Sequence, residues 1–343
     1  MITIERYGAG DRASVESIFR RFHGDAAAEF LERWSWQYEQ NPNLPAGLPL
    51  IWLVRMEGEV IGQYATMPVR LMANGHEIDA AWGTDVIILP HHQRLGLGRM
   101  MFDAWDQGVG ASIGLGLTDA SHGLFKKLQW PDMGRVPRLI KRLSARKQDA
   151  LTSPVPLRAR MAVALQTART QLAPVDANIR QVTRFDAGAT RLWERVGPLF
   201  AFAVRRDAAY LNWKFVDVPH LTYKIAVMEK GGETTGYLII RQIEQNGWRA
   251  TILADFLTDP REPGTFKALL HWAEREALAE NSDVIRVSSA HATFNGILRT
   301  NGYEDLSPAI RFVAKINAIA VPPDYYGSLA NWHVTVGDSD NDR

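Results

Sequence analysis

The chain has 343 residues, 46% of them hydrophobic and 22% charged, with a formal net charge of +1. That length suits about two domains, and near-neutrality excludes a global bias toward nucleic acid or an anionic membrane. Cysteine is absent, which excludes disulfides, zinc–cysteine sites and a thiol nucleophile and fits a cytoplasmic protein.

The opening Met1-Ile2-Thr3-Ile4-Glu5-Arg6 lacks the basic start and apolar core of a signal peptide, and no apolar run approaches the ~18 residues of a membrane span. A first helix is expected from Asp11 to Phe22: Asp11 can cap it, and Val15, Ile18, Phe19 and Phe22 share one face. Strand-like runs follow. Ile51–Met56 turns through Glu57-Gly58-Glu59 into Val60–Met67, and Val69–Met72 turns through Asn74-Gly75, a hairpin signal, into Glu77–Ala81. Asp85–Leu89 is a short apolar run of the kind found in buried central strands. Helical spacing covers Arg94–Gln107, strand character returns at Ser112–Leu117, and His122–Leu128 reads as a short helix.

The second half repeats this order. Trp36-Gln37-Tyr38 with Pro42 matches Trp213-Lys214-Phe215 with Pro219, Val54–Gly62 matches Val227–Gly236, and Asp85–Pro90 matches Asp255–Pro260. Gly123-Leu124-Phe125 ending in Trp130 parallels Gly296-Ile297-Leu298 ending in Tyr303. Ordered matches at nearly constant offset indicate duplication of one domain. The expected organisation is residues 1–140 as a first domain, 141–180 as a basic linker with a helix over Leu157–Leu172, 181–330 as a second domain, and 331–343 as a tail, disordered from Gly337 to Arg343. The tryptophans read first as packing residues.

The strongest chemical signal is Gln93-Arg94-Leu95-Gly96-Leu97-Gly98, between an apolar strand and a helix. A helix N-terminus offers unpaired N–H groups and a partial positive charge, and thus holds anions. Glycines at 96 and 98 let phosphate oxygens approach the backbone, and Arg94 and Arg99 add charge at the rim. The turn is suited to a pyrophosphate. It lacks the Gly-x-Gly-x-x-Gly spacing of a dinucleotide site and the lysine of a nucleoside-triphosphate loop.

Gln93-x-x-Gly96-x-Gly98 after Val86-Ile87-Ile88-Leu89-Pro90 resembles the signature of the GNAT superfamily of acyl-CoA N-acyltransferases. The resemblance extends through the following helix, Ile113–Leu117 and Leu124-Phe125-Lys126-Lys127-Leu128; it covers residues 1–140 well and 181–320 more faintly. It implies an α/β fold of two tandem GNAT-like domains, each a mixed, largely antiparallel twisted sheet flanked by helices. It also implies that backbone N–H groups from Gln93 to Arg99, Leu95 and Leu97 included, hold the pyrophosphate of acetyl-CoA or another acyl-CoA. Val86 and Ile88 would pair with the pantetheine arm, and the central strand would splay from Ser112–Leu117 to hold the acyl group. An amine would attack the thioester directly, with a backbone N–H of the splayed strand stabilising the oxyanion and a base taking the amine proton. Asp85 stands near where many members carry an acidic base.

The sequence departs from the family at Phe125, where a tyrosine commonly protonates the leaving thiolate; His122 is the substitute candidate. Asp85 and His122 each have a structural reading as well, a backbone-bonded carboxylate and a surface histidine. His91 and His92 flank the turn, and Tyr64 and Trp82 could line an acceptor pocket or the core. In the second half, Arg261-Glu262-Pro263-Gly264-Thr265-Phe266 replaces the turn. Proline removes a donor and Glu262 adds negative charge, so this half is not expected to bind acyl-CoA. The expected acceptor is a small-molecule amine, without nucleic acid, membrane or metal. Protein-lysine acylation and a non-catalytic acyl-CoA-binding module are the alternatives, while acceptor identity, chain length and oligomeric state stay open. A nucleic-acid role for Lys141–Arg180 lacks stacking aromatics.

Overall fold

The computed structural model describes residues 1–93, 95–131, 133–144, 157–245 and 247–340; Arg94, Ser153-Pro154-Val155-Pro156 and residues 341–343 lie outside the described residues. In chain order, β1 (Ile2–Arg6) leads to α1 (Arg12–His23) and α2 (Ala27–Trp34). Then come β2 (Ile51–Met56), β3 (Glu59–Ala73), β4 (His76–Ile88), α3 (Leu97–Gln107), β5 (Ala111–Leu115) and α4 (Asp119–Lys127). After β6 (Arg135–Val136), β7 (Arg138–Arg142) and α5 (Leu157–Leu172) the pattern restarts: β8 (Ile179–Val182), α6 (Ala187–Val196), β9 (Phe202–Val204), α7 (Ala208–Phe215), β10 (Lys224–Lys230), β11 (Glu233–Gln245) and β12 (Trp248–Thr258). The chain ends through α8 (Pro263–Ala279), β13 (Val284–Ser288), α9 (Ala292–Thr300), β14 (Glu304–Asp305), β15 (Ile310–Ile316), α10 (Pro323–Tyr326) and β16 (Trp332–His333). Two mixed sheets flanked by helices result, as expected. One runs β1-β2-β3-β4-β5-β15-β6 with β9 and β16 attached; the other runs β14-β7-β13-β12-β11-β10-β8.

Several elements differ from their sequence outlines. Val60–Met67 and Val69–Met72 form the single strand β3, and Glu77–Ala81 and Asp85–Ile88 are parts of the single strand β4. They meet at Asn74-Gly75, where φ values of 49° and 82° put both residues in the left-handed region that the tightest hairpins need. Asp11 does not cap α1. Its carboxylate accepts from the Gly8 N–H at 2.9 Å and pairs with Arg55 at 2.5 Å. Lys141 and Arg142, assigned to the linker by composition, lie in β7, and Lys141 forms a buried ion pair with Glu274 at 2.6 Å.

β4 carries one extra residue. Tyr64 faces Val86 and Thr66 faces Gly83, so Thr84 and Asp85 together oppose Ala65. This bulge bends the strand, and the Thr84 hydroxyl donates to the Ala65 carbonyl at 2.9 Å. The same irregularity recurs in the second sheet, where Ile239 faces Asp255 and Ile240 faces Leu253.

The halves exchange strands. β15, from the C-terminal half, pairs with β5 of the first sheet from Phe312↔Leu115 to Ile316↔Ala111. β7, from the N-terminal half, pairs with β13 of the second sheet from Val284↔Arg142 to Ser288↔Arg138. The repeated tryptophans meet: Trp36 and Trp213 stack with centroids 5.2 Å apart. Each indole N–H donates to the other's backbone carbonyl, at 2.7 and 2.8 Å.

The tail expected to be disordered is ordered through Asp340, with Gly337, Asp338 and Ser339 buried. Arg206, fully buried, holds Asp255 at 3.1 Å and Asp338 at 2.7 Å. Tyr237 donates to Asp255 at 2.6 Å, and Lys214 donates to the Ser339 carbonyl at 2.8 Å. Such a closed network offsets the desolvation of its charges.

Two outcomes follow. Trp213→Phe removes one of the reciprocal hydrogen bonds and strands a buried carbonyl, so denaturant unfolding should show a loss of about 1–3 kcal/mol. Burial holds His291 down at about 4 and His333 well below its ordinary value. Both stay neutral in the fold, while unfolded imidazoles protonate near ~6.5. Stability should therefore be full above that pH and fall as pH drops toward about 4, with His291 alone contributing roughly 3 kcal/mol. Unfolding curves across this window should flatten in His291→Phe.

Candidate active site

The bulge has a direct consequence. β4 runs parallel to β5 only at Ala81↔Ser112 and Trp82↔Ile113. Beyond these pairs the strands diverge, and a slot of about 430 Å³ opens between them. Tyr64, Phe102 and Phe125 form an aromatic wall, with Phe102 edge-on to both other rings at 4.9 and 4.7 Å. Phe22, His23 and Phe30, from the start of the chain, form a second wall, with His23 stacked on Phe30 at 4.0 Å. Leu115–Thr118, Ser121, Asp340 and the β4 segment Gly83–Ile87 complete the lining.

Asp85 and Val86 both line this slot. Asp85 is 11% exposed and anchored from behind: the Tyr38 hydroxyl donates to it at 2.6 Å, and Arg33 stands at 3.8 Å. Burial, reinforced by the Asp85 charge, pushes the Tyr38 hydroxyl well above a phenol's ordinary range, so it remains a hydrogen-bond donor. Tyr38 and Arg33 escaped the sequence reading because nothing local ties a helix to a strand some 50 residues away. His122 follows Ser121 on α4; the slot lining takes Ser121 and Phe125 from that helix. Phe125 is buried and packs on Phe102 and Trp105. Trp82 belongs to the core, with no exposed surface.

Ile88 ends β4, and the chain then reaches the phosphate-type turn. Gln93 donates its side-chain amide to the Ile88 carbonyl at 3.2 Å. Leu95 is exposed, Gly96 has φ 76°, and α3 starts at Leu97. The left-handed φ at Gly96 is what a side chain would resist. The N-cap residue of α3, Gly96, has no side chain to cap it and no acidic residue occupies the first turn, so the N–H groups of Leu97, Gly98 and Arg99 project without an intrahelical partner. Arg99 reaches Asp103 at 3.5 Å while staying largely exposed. Such an end can accept an anion through backbone donors and dipole together.

The corresponding places in the second half are occupied. Glu262 and Pro263 start α8, and Arg261 folds back onto Asp259 at 2.7 Å. Phe256, Phe266 and Phe294, all without exposed surface, pack together beside the second bulge, with centroids between 4.7 and 5.1 Å apart. Among the described residues no group of three or more His, Asp or Glu could hold a metal, and no helix is long and apolar enough to cross a membrane.

Gly83 tests the slot wall. A Cβ there would stand 2.2 Å from the Tyr64 hydroxyl. Gly83→Ala should cost about 1–3 kcal/mol in denaturant unfolding, and adding Tyr64→Phe, which removes the opposing oxygen, should recover part of it.

No family model and no curated protein matches the sequence. Solved structures do. A conserved Enterococcus faecalis V583 protein described as a probable N-acyltransferase superposes with a TM-score of 0.65 at 12% identity, over 93% of this chain and 73% of that one. Saccharomyces cerevisiae N-myristoyltransferase with bound myristoyl-CoA gives 0.61 at 13% identity, over 94% of this chain and 84% of that one. A GCN5-related N-acetyltransferase from Anabaena variabilis ATCC 29413 gives 0.62 at 13% identity, over 96% and 75%. The fold of this chain is that of the GNAT-like N-acyltransferases.

Proposed function

We propose that this chain is an acyl-CoA-dependent N-acyltransferase that moves an acyl group, acetyl in the first instance, onto the primary amine of a small molecule. The observation that carries this reading is the continuity of β4. One end of its divergent segment lines the slot between the two aromatic walls, and the other leads into a helix N-terminus that starts at a glycine. An acyl-CoA thioester has the matching layout, with an acyl group at one end and the pyrophosphate of CoA further along.

In this reading Gln93, Arg94, Leu95, Gly96, Leu97, Gly98 and Arg99 hold the pyrophosphate, and Val86 and Ile88 run beside the pantetheine arm. The amine attacks the thioester carbonyl, and a β4 N–H near the bulge stabilises the oxyanion. Asp85, oriented by the Tyr38 hydroxyl and Arg33, takes the amine proton. Phe125 cannot protonate the thiolate. Tyr64 is a poor substitute, because burial raises its hydroxyl well above the ordinary phenol range; His122 next to Ser121 is the remaining candidate, and otherwise the thiolate leaves unaided. The second half serves as a wall for the acceptor. Phe125 also favours one competing reading, a module that binds acyl-CoA without turnover.

Calorimetric titration of the full chain with acetyl-CoA should give one site, lost in a Gly96→Glu, Gly98→Glu variant. An amine screen should then detect free CoA thiol, with Asp85→Asn lowering turnover by about 10²–10⁴-fold. Binding without turnover on any amine would favour the binding module. No binding of any acyl-CoA by the folded protein would sink the transferase.

A further inference from the structure

A second cavity, of about 690 Å³, lies where the exchanged strands cross between the sheets. The chain leaves the first sheet at Val136 and joins the second at Arg138. It makes the opposite passage between Asp305 and Ile310. Arg135, Arg138, Arg241, Arg286 and Arg311 line the space between these crossings, and no Asp or Glu is among its described lining residues. Gly116 and Leu117 line both this cavity and the acyl slot, so the two share a wall. None of the described turn residues, Gln93 and Leu95–Arg99, lines it.

Among the described residues, the charge of Arg135, Arg138 and Arg286 is uncompensated. Arg135 and Arg138 donate to backbone carbonyls, of Ala309 at 3.2 Å and Pro308 at 3.0 Å. These contacts orient the guanidinium groups without neutralising them. Arg135, Arg138 and Arg286 have no carboxylate partner among the described residues, and the Arg286 Nε is buried without a hydrogen-bond partner. Arg311 pairs with Asp119 at 2.5 Å, but that carboxylate is 92% exposed and the Arg311 Nε is likewise buried and unpartnered. Arg241 is only 8% exposed. Burial first, and the Arg286 charge second, hold the Arg138 guanidinium below its ordinary value. Like charges gathered in a recess repel one another. A compact anion relieves that repulsion and supplies oxygens that the planar guanidinium fork matches two at a time. A neutral amine would gain nothing there.

We infer that this arginine cavity seats the anionic end of the acceptor, which is a small amine bearing a phosphate ester, its nitrogen directed along Gly116-Leu117 to the slot. The inference rests on the acyl-transfer reading above. The step balances: the amine nitrogen bonds to the thioester carbonyl carbon, the carbon–sulfur bond breaks, and the amine's proton ends on the released CoA thiol or in solvent. The products are the amide of the phosphorylated amine and CoA.

The test uses the full chain with CoA at saturation, so that the turn is filled, and inorganic pyrophosphate as the calorimetric probe. One site is expected, weakened at least about tenfold in Arg138→Gln, Arg286→Gln and weakened by added salt. CoA affinity in that variant should be unchanged, which also shows that it folds; if the double variant does not, the single variants carry the same reading. Acetyl transfer is then compared for glucosamine and glucosamine 6-phosphate. The ester should be preferred in kcat/KM by about tenfold or more, and the variant should lose that preference through KM while leaving glucosamine turnover alone. Pyrophosphate that is displaced by CoA, or that binds the variant equally well, overturns the site. Transfer without preference for the ester overturns the inference and leaves the transferase standing. Intact anion binding with no transfer to any amine overturns the acceptor role together with the transferase.

Discussion

The extra residue that β4 carries opposite Ala65 sets the geometry of the rest. A regular strand would stay in register with β5 to its end and leave no gap. With Thr84 and Asp85 sharing one partner, the ladder between β4 and β5 stops at Trp82 and Ile113. The strand emerges with a new direction, with Asp85 at the corner. Tyr38, Arg33 and the Thr84 hydroxyl hold that corner from behind. Slot, anchored carboxylate and phosphate-type turn are thus successive features of one stretch of chain, and their spacing is fixed by strand geometry.

The duplicated half shows the same bulge put to a different use. Asp255 stands beside it as Asp85 does in the first half, but Arg206, Tyr237 and Thr335 enclose it. Three phenylalanines pack where an opening would be, and a proline and a glutamate start the helix where amides would point outward. The buried charge network fastens the C-terminal segment instead, which brings Asp340 to the slot of the first half. One copy has an open bulge and the other a closed one, and the closed copy shapes the surroundings of the open one.

Much of this was legible in the sequence. Period-two runs, the Asn-Gly hairpin and the glycine turn rest on local rules, and each appeared as an element of the expected type. The repeat was legible too, although its offset at the two tryptophans turned out to mark a contact across the halves. Three things were not readable. Ile310–Ile316 has the composition of an ordinary strand, and no residue in it specifies which sheet it joins. The tail from Gly337 to Asp340 is polar in isolation, and the buried Arg206 and Lys214, which hold Asp338 and the Ser339 carbonyl, make its burial favourable. The five arginines are scattered over four segments, and only the crossing strands gather them. In each case the missing information is a long-range pairing, which local propensity does not encode.

The exchanged strands also bear on how the chain is made. β5 is complete once residue 115 has been synthesised, yet its neighbour β15 begins only at residue 310. At about 5–20 residues per second, the growing chain exposes that sheet edge for roughly ten to forty seconds. An unpaired edge of that kind recruits other strands. The nascent first half is therefore open to strand recruitment over that interval, and its sheet is completed only when residues 310–316, in the last tenth of the chain, arrive.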